Sequence, residues 1–235
     1  SCPVYELLGG PHRKSFRAYC SILFGDTPAQ TYELARRFAG QGFGAIKFGW
    51  GPMGLDAAND VALVREARRG AGEDVDILID AGQAWDWKTA LERARAFAEF
   101  RPVWLEEPLH PEDLSGYAQL CRASPVPIAA GEAQARFEEF EHLVVEGGLD
   151  WVQPDPGRCG ISTMVQVGRL AARMHRKTAN HSFKSSITMA ASLHALAAVP
   201  GTELFEVVHG QVSVPEGVGL GVTIDEETLE RFRVG

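Results

Sequence analysis

Cysteine is scarce in this chain of 235 residues: four, at positions 2, 20, 121 and 159, with no C-x-x-C spacing and no nearby histidine pair. That argues against a disulfide framework and leaves reduced, buried thiols of a cytosolic protein as the expectation. Positive charge is also short, with 23 Lys and Arg against 31 Asp and Glu and a net charge of −8. Nucleic acid and anionic membranes both require clustered basic residues, so neither is expected as a partner. No apolar run approaches the roughly 18 residues of a membrane span. The opening SCPVYELLGG lacks a basic stretch followed by a long apolar one, so no signal peptide is expected. It also lacks a starting methionine and reads as the end of a helix, Tyr5-Glu6-Leu7-Leu8 before Gly9-Gly10, which suggests a fragment. No G-x-G-x-x-G follows the first strand-like segment, which counts against an open dinucleotide-binding sheet.

What is present is globular: 45% hydrophobic, 23% charged and 9% aromatic residues, suiting one large domain or two small ones. Apolar strand-like runs at 15–24, 43–49, 75–81, 102–106, 126–132, 149–155, 177–182 and 203–208 alternate with helical patterns. Thr27 and Pro28 open one helix, Gly40 and Gly42 stop it, and Asp86 caps another. Strict alternation implies a parallel sheet with crossover helices, and eight such units read as an α/β, TIM-like (β/α)7β barrel. The barrel strands and helices occupy 15–208, and 209–235 follows as a C-terminal return segment, the whole of 1–235 being one barrel domain.

Polar residues close six successive apolar runs: Asp80, Glu106, Glu132, Asp155, His181 and Glu206. Their separations are 26, 26, 23, 26 and 25 residues, one βα unit each time, which places all six at the carboxyl-terminal mouth. Lys47 ends the preceding strand and joins the ring. Any one acid at a strand end could be a helix N-cap, but six in register with a histidine are poorly explained that way.

Asp80, Glu106 and Glu132 fall on adjacent strands and can converge. Three packed carboxylates repel one another unless a cation holds them, and a set of hard oxygen ligands suits Mg²⁺. In VWLEEP, Glu106 shares its face with Trp104 and is the inward acid, while Glu107 turns to the helix layer or loop in a supporting role. Asp155 and His181, on neighbouring strands, suit a carboxylate-oriented general base. A buried structural pair would look the same in isolation. His12, His110, His142, His175, His194 and His209 have no such setting and are read as surface or packing residues. A divalent metal facing a base suits removal of the proton α to a carboxylate, with the dianionic enediolate stabilised by the metal.

The segments ILIDAGQAW, VWLEEP, PIAAGE, VQPDPGRCG, ANHSF and LFEVV, in this order and spacing, resemble the mandelate racemase/muconate lactonizing enzyme branch of the enolase superfamily. VYELLGG resembles the helix end before that barrel, and VSVPEGVGLGVTIDEETLERF its return segment. The resemblance implies Asp80, Glu106 and Glu132 as Mg²⁺ ligands, Asp155–His181 as the dyad, and Glu206 as a hydrogen-bonding electrophile beside the substrate carboxylate. Three departures stand out. The family's N-terminal α+β capping domain is missing. Strand two reads Lys47-Phe48-Gly49 where racemase-like members have Lys-x-Lys, so the second base is absent and Lys47 contacts substrate or metal-bound oxygens, or is only a charge near the mouth. Little chain follows Glu206 near Val208, where the family has a longer loop. The resulting expectation is a cytoplasmic, homo-oligomeric, Mg²⁺-dependent lyase that dehydrates a small sugar acid to a 2-keto-3-deoxy acid. An epimerase or cycloisomerase, or a non-catalytic acid-binding member, is the alternative.

Overall fold

Helices start where the sequence supplies an acceptor for their unpaired first N–H groups. Thr27, Asp56, Asp86, Asp113 and Ser185 each accept a backbone N–H of the helix that follows, and Pro28 sits where no intrahelical donor is needed. The computed structural model describes residues 1–183, 185–207 and 213–231. Its first half runs α1 (Val4–Leu7), β1 (Arg17–Leu23), α2 (Pro28–Gly40), β2 (Ala45–Gly49), α3 (Ala57–Ala71), β3 (Asp76–Asp80), α4 (Trp87–Phe97) and β4 (Leu105–Glu106). The second half runs α5 (Leu114–Ala123), β5 (Ile128–Ala130), α6 (Phe137–Glu141), β6 (Trp151–Val152), α7 (Pro156–Arg173), β7 (Lys177–Thr178), α8 (Ser186–Ala197), β8 (Leu204–Val207) and α9 (Glu226–Arg231).

Among the described residues the eight strands form one parallel sheet in the order β7-β6-β5-β4-β3-β2-β1-β8, the expected (β/α)7β barrel. Strands β7 and β8 meet through a side chain: the Glu206 N–H donates to Asn180 Oδ1 at 2.8 Å. The expected end of the last strand at Val208, with His209, lies outside the described residues. So do the flanks of the return segment. Its described part runs back to the amino-terminal end, where Val4 N–H donates to the Gly219 carbonyl at 2.9 Å. Two helices are irregular. Helix α7 begins at Pro156, because Asp155 caps it, and breaks at Gly160 (φ 77°). The helix over 135–148 passes from α6 into a π-helical turn, His142–Glu146. The cysteines are free, as expected, but only Cys20 is buried; Cys2, Cys121 and Cys159 are half-buried.

The barrel interior explains where the polar ring sits. One cluster takes a single inward residue from each strand path: Tyr19, Ala45, Leu78, Trp104, Ala129, Trp151, Ala179 and Leu204. Trp104 lies 4.9 Å from Trp151 and edge-on to Tyr19 at 5.5 Å, and the alanines leave room for these rings. Two residues further along six of those paths come Ser21, Lys47, Asp80, Glu106, His181 and Glu206. Strand periodicity thus lifts the functional layer directly above an apolar floor. The outward residues, such as Ile46, Phe48, Ile77, Ile79, Leu105 and Ile128, pack under the helices. Each fully buried side chain of this kind contributes about 1.5–3 kcal/mol relative to exposure.

Candidate active site

Above the floor opens a cavity of about 390 Å³, whose lining includes Lys47, Asp80, Glu132, His181 and Glu206. A wider groove of about 1020 Å³ runs along α2 between Phe24 and Gln41, but it contains none of the ring residues. The candidate site is therefore the cavity at the mouth.

His181 is held at both ring nitrogens. Nδ1 lies 3.0 Å from Asp155 Oδ2, and Nε2 lies 3.4 Å from Glu132 Oε2. Asp155 also accepts the Gly157 N–H on Oδ1 at 2.7 Å. Asp155 therefore both caps α7 and contacts the imidazole. Burial alone would depress the His181 pKa, but the Asp155 hydrogen bond and the charges of Glu132 and Glu206 reverse this and raise it to about 9.

Lys47 is 3% exposed and bridges two acids, with Nζ 2.5 Å from Glu106 Oε1 and 2.8 Å from Glu206 Oε1. Burial lowers its pKa, yet the charges of Glu106 and Glu206 carry it well above the ordinary lysine value. Glu206 Oε2 accepts the Ser182 N–H at 3.0 Å. Burial would raise the Glu206 pKa, but Lys47 and His181 hold it below the usual value. An ionised Glu206 can accept but not donate a hydrogen bond.

The three expected ligands lie on or just after adjacent strands. Asp80 pairs with Glu106 in the β3–β4 register, and β5 is next. Glu132 breaks the alternation: Gly131, at φ 132°, occupies the position two past Ala129, and the turn brings the following residue to the site. Glu106 and Asp80 are turned onto protein donors, while Glu132 faces His181. Trp104 Nε1–H donates to Glu106 Oε2 at 2.8 Å, while Asp80 accepts from Gly82 N–H at 2.8 Å and from Trp50 Nε1–H at 3.2 Å. As placed, no three His, Cys, Asp or Glu side chains among the described residues form a set that could hold a metal ion. The donor chemistry nonetheless fits a hard divalent cation. Burial and the charge of Glu106 raise the Asp80 pKa to about 7, against Lys47. Burial raises that of Glu132 to about 8 despite His181, with help from Glu107 and Glu106. These are oxygen donors whose joint ionisation near neutral pH an added positive charge would favour.

Glu107 is buried at φ 37°, with Oε2 accepting from Gln83 Nε2 at 2.6 Å. That agrees with a supporting role. Its Oε1 has no partner among the described residues, and its charge reaches Glu132, so it lies nearer the site than an outward acid would. His12, His110, His142 and His175 are exposed, and His194 is buried with Nδ1 accepting the Tyr5 N–H at 3.3 Å. Sequence reasoning missed Trp50, Gln83 and Asn180. Only Trp50, a lone aromatic between Gly49 and Gly51, carried any local signal.

A family model described as Enolase C-terminal domain-like matches residues 30–228. The chain is 34% identical over 242 residues to an L-talarate/galactarate dehydratase of Salmonella typhimurium, covering 96% of this chain and 59% of that protein. It thus spans about three-fifths of that relative's length. Other relatives carry the names of sugar-acid dehydratases and cycloisomerases. A structure described as a predicted mandelate racemase from Rhodobacter sphaeroides superposes with a TM-score of 0.92 at 33% identity, covering 99% of this chain and 66% of that one. A racemase from Streptomyces coelicolor A3(2) with bound magnesium gives 0.86 at 32% identity, covering 98% and 69%. The chain belongs to the enolase C-terminal domain-like family, in the mandelate racemase/muconate lactonizing enzyme branch of the enolase superfamily.

Proposed function

We propose that the full-length protein is a Mg²⁺-dependent sugar-acid dehydratase in which His181 is the base. The observation that carries this is the imidazole on the cavity wall, with Nδ1 fixed by Asp155 and Nε2 on the side of Glu132. Asp80, Glu106 and Glu132 would hold Mg²⁺, and the bound ion would stabilise the negative charge that develops when the α-proton leaves. With Mg²⁺ on Glu132, one of the charges that raise the His181 pKa would be offset; the neutral imidazole then takes that proton on Nε2, while Asp155 accepts the Nδ1–H and stabilises the imidazolium. Imidazolium then returns the proton to the β-hydroxyl as the C–O bond breaks. Water departs, and the enol tautomerises to a 2-keto-3-deoxy acid.

Lys47 supplies fixed positive charge for the substrate carboxylate, and Glu206 holds that ammonium in place; Glu206 can donate to substrate itself only if it is protonated. Two-base racemisation finds no support at Gly49, where an added Cβ would stand 2.8 Å from Asp80 Oδ2 and 2.9 Å from Asp80 Cβ. Cycloisomerisation is the second reading, since relatives bear that name and it would need the same proton abstraction. The test is a panel of aldonates and aldarates with Mg²⁺ in deuterated water. A 2-keto acid carrying one deuterium at C3 supports dehydration, a cyclised isomer supports the second reading, and no product and no α-proton exchange from any member contradicts both.

A further inference from the structure

Trp50 is exposed where a tryptophan ordinarily buries its ring. It is 55% exposed, in the left-handed backbone region at φ 56°, immediately after the strand that carries Lys47. That conformation is uncommon for a bulky residue and marks a side chain held for a purpose or by its surroundings. The surroundings are specific. The indole N–H is consumed by Asp80 Oδ2 at 3.2 Å. The ring rests against Gly82, where an added Cβ would stand 3.2–3.5 Å from Cδ2, Cε2 and Cε3 of Trp50. A side chain at 82 would push the ring aside by a few tenths of an ångström, and the backbone there, at φ 57°, also favours glycine.

The ring also lines the His181 cavity, together with Ile22, Leu23 and Phe183. Leu23 and Phe183 are 64% and 68% exposed, so the rim of the cavity presents apolar surface beside the charged ring. With its only donor already used, Trp50 offers an occupant its π surface and no hydrogen bond. Such a surface recognises polarised C–H groups, which line one face of a polyhydroxylated carbon chain.

We infer that Trp50 is a specificity-determining residue: a rigid aromatic wall on which the distal carbons of a sugar acid pack, while the carboxylate end lies at Lys47. The assignment rests on the proposed sugar-acid reading. It adds a recognition element for the part of the substrate that does not react.

The experiment uses the full-length protein with Mg²⁺. Dissociation constants are measured by calorimetry for five- and six-carbon aldonates and aldarates, and for glycolate, which has a reacting end but no distal chain. With each variant saturated in Mg²⁺, so that any weakening of the metal through Asp80 is removed, Trp50→Ala should raise Kd for the tightest-binding sugar acid about tenfold and change glycolate by no more than about twofold, with Trp50→Phe recovering most of the loss. Titration of the wild type should also perturb tryptophan emission by an amount missing from Trp50→Phe, a readout independent of the alanine variant. Equal weakening of glycolate and the sugar acid would make Trp50 a prop for Asp80 and overturn the inference. So would an unchanged Kd, as expected if another part of the protein covers the ring, or a wild type that binds no sugar acid. Binding without α-proton exchange or keto acid would instead overturn the dehydratase reading and leave the Trp50 comparison decisive.

Discussion

Gly49 and Asp80 share one volume: a Cβ built on Gly49 would stand 2.8 Å from the Asp80 Oδ2 and 2.9 Å from its Cβ. Because the second contact is with Cβ, rotating the carboxylate cannot relieve it. Gly49→Lys, which restores a Lys-x-Lys spacing, should therefore displace Asp80 and not supply a second base. The expected outcome is Mg²⁺ affinity weakened about tenfold or more with no racemisation, measured by calorimetry and polarimetry. Racemase activity in this variant would contradict the account.

Metal binding should separate the adjacent acids. Mg²⁺ at about 100 times its Kd stabilises by about 2.7 kcal/mol when only the folded state binds it. The resulting rise in Tm should vanish in Asp80→Asn, Glu106→Gln and Glu132→Gln and persist in Glu107→Gln. Loss in Glu107→Gln with retention in Glu106→Gln would reverse the inward assignment.

The apolar floor should matter to stability and to the acid above it. Trp104 is fully buried between Tyr19 and Trp151 and donates to Glu106. Trp104→Ala should cost about 3–5 kcal/mol in urea unfolding, as large-to-small core changes do. Trp104→Phe should cost less and still weaken Mg²⁺ binding, because it removes the indole N–H. An unchanged metal affinity in Trp104→Phe would show that this hydrogen bond does not position Glu106.

One prediction concerns pH. Backbone N–H groups of Arg136 and Ala135, with the Arg136 side chain, lower the Glu139 pKa from 4.5 to about 2. A depressed carboxylate pKa gives stability that is present above the unfolded value and lost as pH falls through the folded one. The stability gap between wild type and Glu139→Gln should thus be constant above about pH 5 and shrink from there towards pH 2. The side chain is 36% exposed, so the gap should be small. A gap that widens on acidification would contradict the capping role.

The barrel and its ring were legible because both follow from periodicity. Asp80, Glu106, His181 and Glu206 each lie two residues past an inward apolar residue, and that spacing is visible in one dimension. Glu132 was legible from its spacing to Glu106 but not from alternation, since Gly131 shifts the face. The Lys47 bridge between Glu106 and Glu206 was not legible, because it joins three strands separated by 59 and 100 residues through side-chain rotamers. The start of α7 follows from Asp155-Pro156, an acid cap before a proline that needs no intrahelical donor. Asn180 at the β7–β8 closure has no local signal at all.

The central claim is that His181 is the sole proton-transfer base. It is tested most directly by α-proton exchange in deuterated water, with the full-length His181→Asn protein and the sugar acid that the wild type turns over. A single imidazole serving both steps requires the α-proton and β-hydroxyl on its own face, a syn elimination. The predicted result is loss of both exchange and dehydration by about 10³-fold or more, with Mg²⁺ binding intact. Continued washout of the α-proton in His181→Asn would contradict it and move the base to Lys47 or another group.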